Sequence, residues 1–206
     1  MASQSSRTVC CPELTALTST VTTLLACPVD VGQIQKLVFW RRGNSMAATS
    51  ALVSTAWVAL LAAADDTKAV PSPYLGNVEL APSEPREFGG GNETRWGAPH
   101  RKGATSPVFS ATMYGEDQDV IAALKDLRCE VLDVLFINES NQLVYSDSTA
   151  VSGFQVARHS LFISDKGIGG LDESDKNTIM FNLKPNWSDT LEMTVETTFL
   201  LDMVNA

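Results

Sequence analysis

Gly115-Glu116-Asp117-Gln118-Asp119-Val120-Ile121-Ala122-Ala123-Leu124-Lys125-Asp126-Leu127-Arg128 is the stretch on which the fold turns. Four acidic or amide residues follow a glycine, and Lys125 and Arg128 close the last turn. Acid at the start and base at the end match the helix dipole. Val120, Leu124 and Leu127 recur at i, i+4 and i+7, which predicts a helix over 117–128 with one buried stripe. On both sides the pattern changes to alternating or continuous apolar runs, the signature of strands. The expected fold is mainly β with α: an antiparallel β-sandwich or small barrel with this helix on its flank.

The strands read as follows. Gln33 to Arg42 carries Ile34, Leu37, Val38, Phe39 and Trp40 and ends on two arginines. Tyr74 to Leu80 is short. Thr105 to Tyr114 places Phe109, Ala111 and Met113 on one face. Val131 to Asn138 is strongly apolar, and the turn Glu139-Ser140-Asn141 leads into Gln142 to Tyr145 as a hairpin. Phe154 to Ser164 reads as one strand, and Thr178 to Leu183 puts Ile179, Phe181 and Leu183 on one face. In the last stretch Leu191, Met193, Val195, Thr197 and Phe199 alternate with Glu192, Thr194, Glu196 and Thr198. One face of that strand is expected to be buried and the other to meet water or a partner.

Between 46 and 64 runs an uncharged segment of Ala, Ser, Thr and a few larger apolar residues. Leu52, Val53, Ala56, Trp57, Leu60, Leu61 and Ala64 form a stripe on a helix at 49–64, which predicts packing on a sheet rather than a membrane span. A buried strand inside it is the alternative. The 206 residues suit a single domain with an N-terminal arm over about 1–30. A long irregular insert occupies about 81–103, holding Pro82, Pro85, Pro99 and Gly89-Gly90-Gly91. Loops of that length bind something or order on assembly.

Composition narrows the function. A net charge of −9 opposes a nucleic-acid reader, which needs clustered Lys and Arg, but suits a surface past which DNA slides without sticking. Charged residues are only 19% of the chain, consistent with surface covered by neighbours. The two histidines, His100 and His159, have no nucleophile turn of the Gly-x-Ser-x-Gly type to serve. The carboxylates are scattered, as on a solvated surface. Lys166-Gly167-Ile168-Gly169-Gly170 lacks the spacing of a phosphate loop, and Asp165 to Asp175 lacks the series of an EF-hand. Cys10, Cys11, Cys27 and Cys129 lack metal-site spacing and read as buried reduced thiols. No catalytic residue, metal or cofactor is expected. Leu24-Leu25-Ala26-Cys27 imitates a lipoprotein box without its basic start. The sequons at Asn92, Asn138 and Asn186 read as turns.

Several segments together resemble the major tail tube protein of tailed bacteriophages, of the type that infects Bacteroidetes. They are Phe88-Gly89-Gly90-Gly91-Asn92-Glu93, Ala122 to Glu130, Phe162 to Asn177 with its Gly-Gly-Leu-Asp core, and the Trp187-Ser188-Asp189 turn. The resemblance covers roughly 74–200. It implies a β-sandwich or small barrel with a flanking helix, and six copies in a ring. The rings would stack into a tube that conducts DNA. It implies a structural virion protein, made in the host cytoplasm, whose partners are itself, other tail or neck proteins, and DNA that passes without specific binding. No membrane role is expected. Phe88, Gly89, Gly90, Gly91, Asn92 and Trp96 are then the candidate contacts between rings or subunits. Glu192 and Glu196 are the candidate acidic face toward lumen or solvent. The alternatives are a head-decoration, capsid or neck protein and, from another class, a lipid-anchored surface module held by Cys27.

Overall fold

The computed structural model describes residues 31–147, 149–171 and 173–203. Cys10, Cys11, Cys27 and the arm at 1–30 lie outside that range. Two compact units contain the described residues: 84–105 form one, and 31–83 with 106–203 form the other.

In chain order the strands are β1 (Ile34–Arg41), β2 (Ser45–Met46), β3 (Val70–Pro71), β4 (Gly76–Leu80), β5 (Pro85–Phe88), β6 (His100–Ala104), β7 (Val108–Tyr114), β8 (Leu132–Asn138), β9 (Leu143–Ser146), β10 (Val151–Ser152), β11 (Phe154–Gln155), β12 (Phe162–Ile163), β13 (Lys176–Asn182) and β14 (Leu191–Met193). The α-helices are α1 (Ala48–Ala51), α2 (Ser54–Ala62), α3 (Gln118–Asp126) and α4 (Leu200–Met203). The larger unit is an α+β sandwich of two antiparallel sheets. The first runs β2-β10-β9-β8-β1-β3, with β11 on β8 and β14 on β9; the second runs β12-β13-β7-β4.

Strands β1 and β8 pair over nearly their whole length at the centre of the first sheet, with Leu37 opposite Phe136 and Phe39 opposite Val134. Both faces are covered. Leu37, Phe39, Val134 and Phe136 face the second sheet, where Phe109, Ala111, Met113, Ile179 and Phe181 complete the core. Val38, Trp40, Leu135 and Ile137 face Ala51, Trp57 and Leu200 on the helical side. Burial on both faces is why these two strands read as unbroken apolar runs. An aromatic file binds the sheets: Phe109 stacks on Phe136 and on Phe181, and Phe136 on Phe154, at centroid distances of 5.6, 4.6 and 5.4 Å. Trp187 meets Phe136 and Phe154 edge-on.

The helix expected at 117–128 is present as α3 and a following 3-10 turn at Leu127–Cys129. The Asp117 carboxylate accepts from the Asp119 N–H at 3.0 Å and caps it. Its buried stripe is Ile121 and Leu124, with Leu127 partly buried; Val120 is exposed. The stripe is therefore turned by one residue from the predicted Val120 line. The helix predicted at 49–64 is two helices, broken at Leu52–Val53, where Val53 is extended. Ala51 and Trp57 both pack on the first sheet, yet in one straight helix they would sit roughly 120° apart. The break resolves that conflict and leaves Leu52, Val53 and Val58 exposed. No helix among the described residues is long and apolar enough to cross a membrane.

Two further readings are corrected. Phe154 to Ser164 is not one strand. Phe154–Gln155 pairs with β8, Val156 bridges to Leu183 of the other sheet, and a turn at Ala157–Ser160 follows before β12. The chain changes sheet here, so each end pairs with a different partner. The final strand stops at Met193 instead of running to Phe199. Thr194 then exchanges bonds with Leu143, and Thr197 and Leu201 bond Asn141, which carries the chain around the β8–β9 turn onto the helical side. Val195 is exposed, and Phe199 packs on the helical cluster. Asn138 builds that turn: its Oδ1 accepts from the Ser140 and Gln142 N–H groups, and the residue is buried. Of the cysteines, Cys129 is exposed, contrary to the buried thiol expected.

Gly153 is required by close approach. A Cβ there would lie 2.7 Å from Trp40 Nε1 and 2.9 Å from the Val134 nitrogen. Phe136 is the hub of the aromatic file, and Phe136→Ala is expected to destabilise the fold by about 3–5 kcal/mol, read as a lowered urea midpoint at unchanged slope.

Candidate assembly surface

The segment expected as an irregular insert carries an antiparallel hairpin of β5 and β6, with Glu87 opposite Arg101 and Phe88 opposite His100. The base is closed by Thr105, whose N–H donates to the Glu84 carbonyl while its Oγ1 accepts from the Glu84 N–H. At the tip, Glu93 N–H donates to Gly90 O, Gly97 N–H to Thr94 O, and Thr94 Oγ1 to Ala98 O at 2.6 Å. Gly89, Gly90 and Gly91 all have positive φ, and a Cβ on Gly89 would meet Thr94 Cγ2 at 2.5 Å. The glycine triplet is therefore the turn chemistry of this tip.

None of residues 84–105 is buried. Trp96, itself at φ 67, is 90% exposed, and Phe88 is more than half exposed. Cations lie over both rings: Lys102 Nζ 4.2 Å from the Phe88 centroid, and the Arg95 guanidinium 5.1 Å from that of Trp96. A two-stranded ribbon with no buried side chain is marginal on its own. Its strands lack apolar alternation because neither face is covered, so sequence reasoning had no signal by which to find them. Of the predicted contact residues, Phe88, Gly89, Gly90, Gly91, Asn92 and Trp96 all fall in this hairpin. Glu192 lies on β14 opposite Tyr145, whereas Glu196 lies beyond the strand. Both are exposed, but they do not form one strand row.

The second sheet of the larger unit offers a different kind of surface. Its inner face is core. Its outer face carries Ser110, Thr112, Thr178, Met180 and Asn182, none buried, with Phe162 exposed beside them. That face is mostly hydroxyl and amide. Strands β12 and β4 form its two edges, and β4 carries a register shift between Gly76 and Glu79. Unpaired edges are templates for another chain.

Chemistry is scarce. Among the described residues no group of three or more His, Cys, Asp or Glu could hold a metal ion. His100 lies in β6, and His159 lies in the turn before β12 at φ 60. The unusual titratable pair is Lys36 and Glu116. Lys36 is fully buried, with its ammonium 4.3 Å from the Tyr74 centroid. Burial pushes its pKa down, and Asp202 and Glu116 oppose that shift. Burial pushes Glu116 up, against Lys36 and Lys166. Asp133, also buried, accepts from Arg42 Nε at 3.1 Å and from the Gly43 N–H. Sequence reasoning passed over Lys36 because a lysine in a strand reads as solvent-facing.

Solved structures similar to the chain include the following three. The tail of an empty GTA particle, refined with C6 symmetry, matches at 14% identity over 59% of this chain and 82% of that one, with a TM-score of 0.34. The virion of a native gene transfer agent matches at 15% over 59% and 85%, with a TM-score of 0.33. The baseplate of the anti-feeding prophage matches at 10% over 82% and 97%, with a TM-score of 0.37. No family model matches the chain, and no curated protein matches it. No residue role is carried over from these structures.

Lys36 gives a test of the buried charge. Its folded pKa lies below its unfolded one, so its stability contribution is present above the unfolded value and is lost as pH falls through the folded value. Wild type is therefore expected to gain stability relative to Lys36→Met as pH rises from neutral toward the ordinary lysine range. Urea unfolding of both proteins at two pH values checks the sign.

Proposed function

We propose that this protein is a structural subunit of a phage tail, with no enzymatic role, and that copies of it form rings that stack into the tail tube. The observation that carries the reading is the second sheet, which has a mostly uncharged outer face with no buried residue and, among the described residues, two edges without a strand partner. Closing a ring edge to edge removes both edges at once. Because the first sheet and the helices stack on the inner face of the second, they take the outside of such a ring. The bare face then lines the hole. Hydroxyls and amides there would let DNA pass, since they offer phosphate no cluster of cations. The acidic balance of −9 supports the same conclusion. Six copies per ring is the number implied by the family resemblance.

The hairpin at 84–105 supplies the contact with a further ring or a neck protein, and its Phe88 and Trp96 become covered on assembly. Glu192 and Glu196 belong to the outer, solvent-facing side. The protein is made in the host cytoplasm and resides in the virion tail, with no membrane partner.

The test is negative-stain microscopy with cross-linking. In a background where all four cysteines are Ser, Glu79→Cys on β4 and Phe162→Cys on β12 bring thiols together only across a ring contact. Oxidation is expected to give a ladder ending at six, and images are expected to show rings with a DNA-sized hole. A protein that stays monomeric at all concentrations, without a ladder, sinks the reading. Trp96→Ala is expected to leave the unfolding midpoint unchanged and to weaken stacking about tenfold or more, seen in the concentration at which tubes appear.

A further inference from the structure

Strands β9 and β11 pair with β8 in succession, β9 opposite Phe136 and Ile137 and β11 opposite Val134 and Asp133. Where the first gives way to the second, a cavity of about 390 Å³ opens, lined also by the segment from Lys184 to Trp187. Its charged lining residues are Arg42, Asp133 and Lys184. Two cations and one carboxylate leave that lining at +1, in a chain whose own balance is −9. A local excess of positive charge in so acidic a chain invites a search for what neutralises it.

The carboxylate of the lining is already satisfied. Buried Asp133 accepts from Arg42 Nε at 3.1 Å through one oxygen and from the Gly43 N–H at 3.2 Å through the other. The cations are not. Arg42 Nη2 donates to the carbonyls of Leu132 and Val156, which leaves Nη1 without a partner among the described residues. The bonds on Nε and Nη2 fix the guanidinium plane, so Nη1 is a donor held in place in advance. Lys184 Nζ also has no partner among the described residues. A third uncommitted donor lies against the cavity wall: Trp40 Nε1 is buried without a partner, and a Cβ on Gly153, which lines the cavity, would lie 2.7 Å from it. Donors therefore exceed acceptors around this space, and the charged ones are both cationic.

We propose that this cavity binds a carboxylate, with Arg42 Nη1 and Lys184 Nζ as its donors and the Trp187 ring against its apolar body. The charge count selects the group. A carboxylate brings one negative charge to a lining of +1, and its two oxygens take one cationic donor each. A phosphate group brings about −1.5 to −2 and would leave negative charge uncompensated in a half-enclosed site. The volume selects the body. The cavity far exceeds the ~30 Å³ share of one water and lies at the lower end of the ~300–1,000 Å³ usual for small-ligand pockets. The acid thus carries a few carbon atoms or one ring. Trp187, partly buried and edge-on to Phe136 and Phe154, is a fixed apolar wall for it. Two sources supply such a group: a free small acid, or an Asp or Glu side chain of a second copy. The inference stands on the cavity and does not need the ring reading.

The probe is benzoate, a carboxylate on a flat apolar body, followed by equilibrium dialysis of the radiolabelled acid against the full-length protein at neutral pH. Saturable binding is expected, with benzyl alcohol and inorganic phosphate about tenfold weaker or more. Lys184→Met is expected to weaken benzoate about tenfold or more, and Lys184→Arg to retain it. Lys184 is exposed, so the unfolding midpoint should not move in either variant. Arg42 is left intact because it also holds Asp133. Absence of saturable binding overturns the proposal, as does undiminished binding by Lys184→Met or phosphate binding as tight as benzoate. Carbodiimide coupling, which joins an amine directly to a carboxylate in contact with it, separates the sources. Dimers joined through Lys184 that benzoate suppresses assign the carboxylate to a second copy. Benzoate binding without such dimers assigns it to a free acid.

Discussion

Everything in the larger unit leans on the pairing of β1 with β8. These strands lie at the middle of the first sheet and are sealed on both sides, by the second sheet and by the helices. A strand pair so placed cannot slip, because a shift of one residue would exchange the side chains of the two cores. Phe136 would leave the aromatic file, and Leu135 would enter it. The pair also sets where charge is tolerated. Lys36 and Asp133 lie near its ends, the first beside an aromatic ring and the second beside Arg42, so each buried charge has a partner.

That central pair leaves the second sheet half dressed. Its inner side completes the core, and the residues of its outer side are none of them buried. An isolated protein can carry such a face when it is polar, and this one is. The edges are another matter, because backbone groups there seek partners. The hairpin at 84–105 has the same character, with ordered geometry and no buried side chain. The two sheet edges without a strand partner among the described residues and the coreless ribbon are surfaces suited to contact with another chain. The proposed tail role follows from that property more than from any single residue.

The capped helix α3, the hairpin of β8 and β9, and the inward faces of β7 and β13 were legible in the sequence because each signal is local. Asp117 sits at a helix start, Phe109-Ala111-Met113 alternate, and Asn138 makes a turn with its own side chain. Errors arose where an apolar pattern had more than one way to be buried. The stripe at 49–64 was consistent with one helix, but Ala51 and Trp57 share a floor only if the helix breaks. The alternation from Leu191 to Phe199 was real in sequence, yet Phe199 is partly buried against the helical cluster and Val195 is exposed. The hairpin of β5 and β6 gave no signal, since exposed strands need not alternate.

The sequence alone determined the class of fold, the one capped helix and the core-facing residues of the main strands. These depend on neighbours within a few residues, through capping, period and turn geometry. Only the tertiary structure decided that Lys36 is buried, that β1 and β8 are covered on both faces, and that Phe154 to Ser164 crosses between sheets. Those facts arise from contacts between residues tens of positions apart, which no local period encodes.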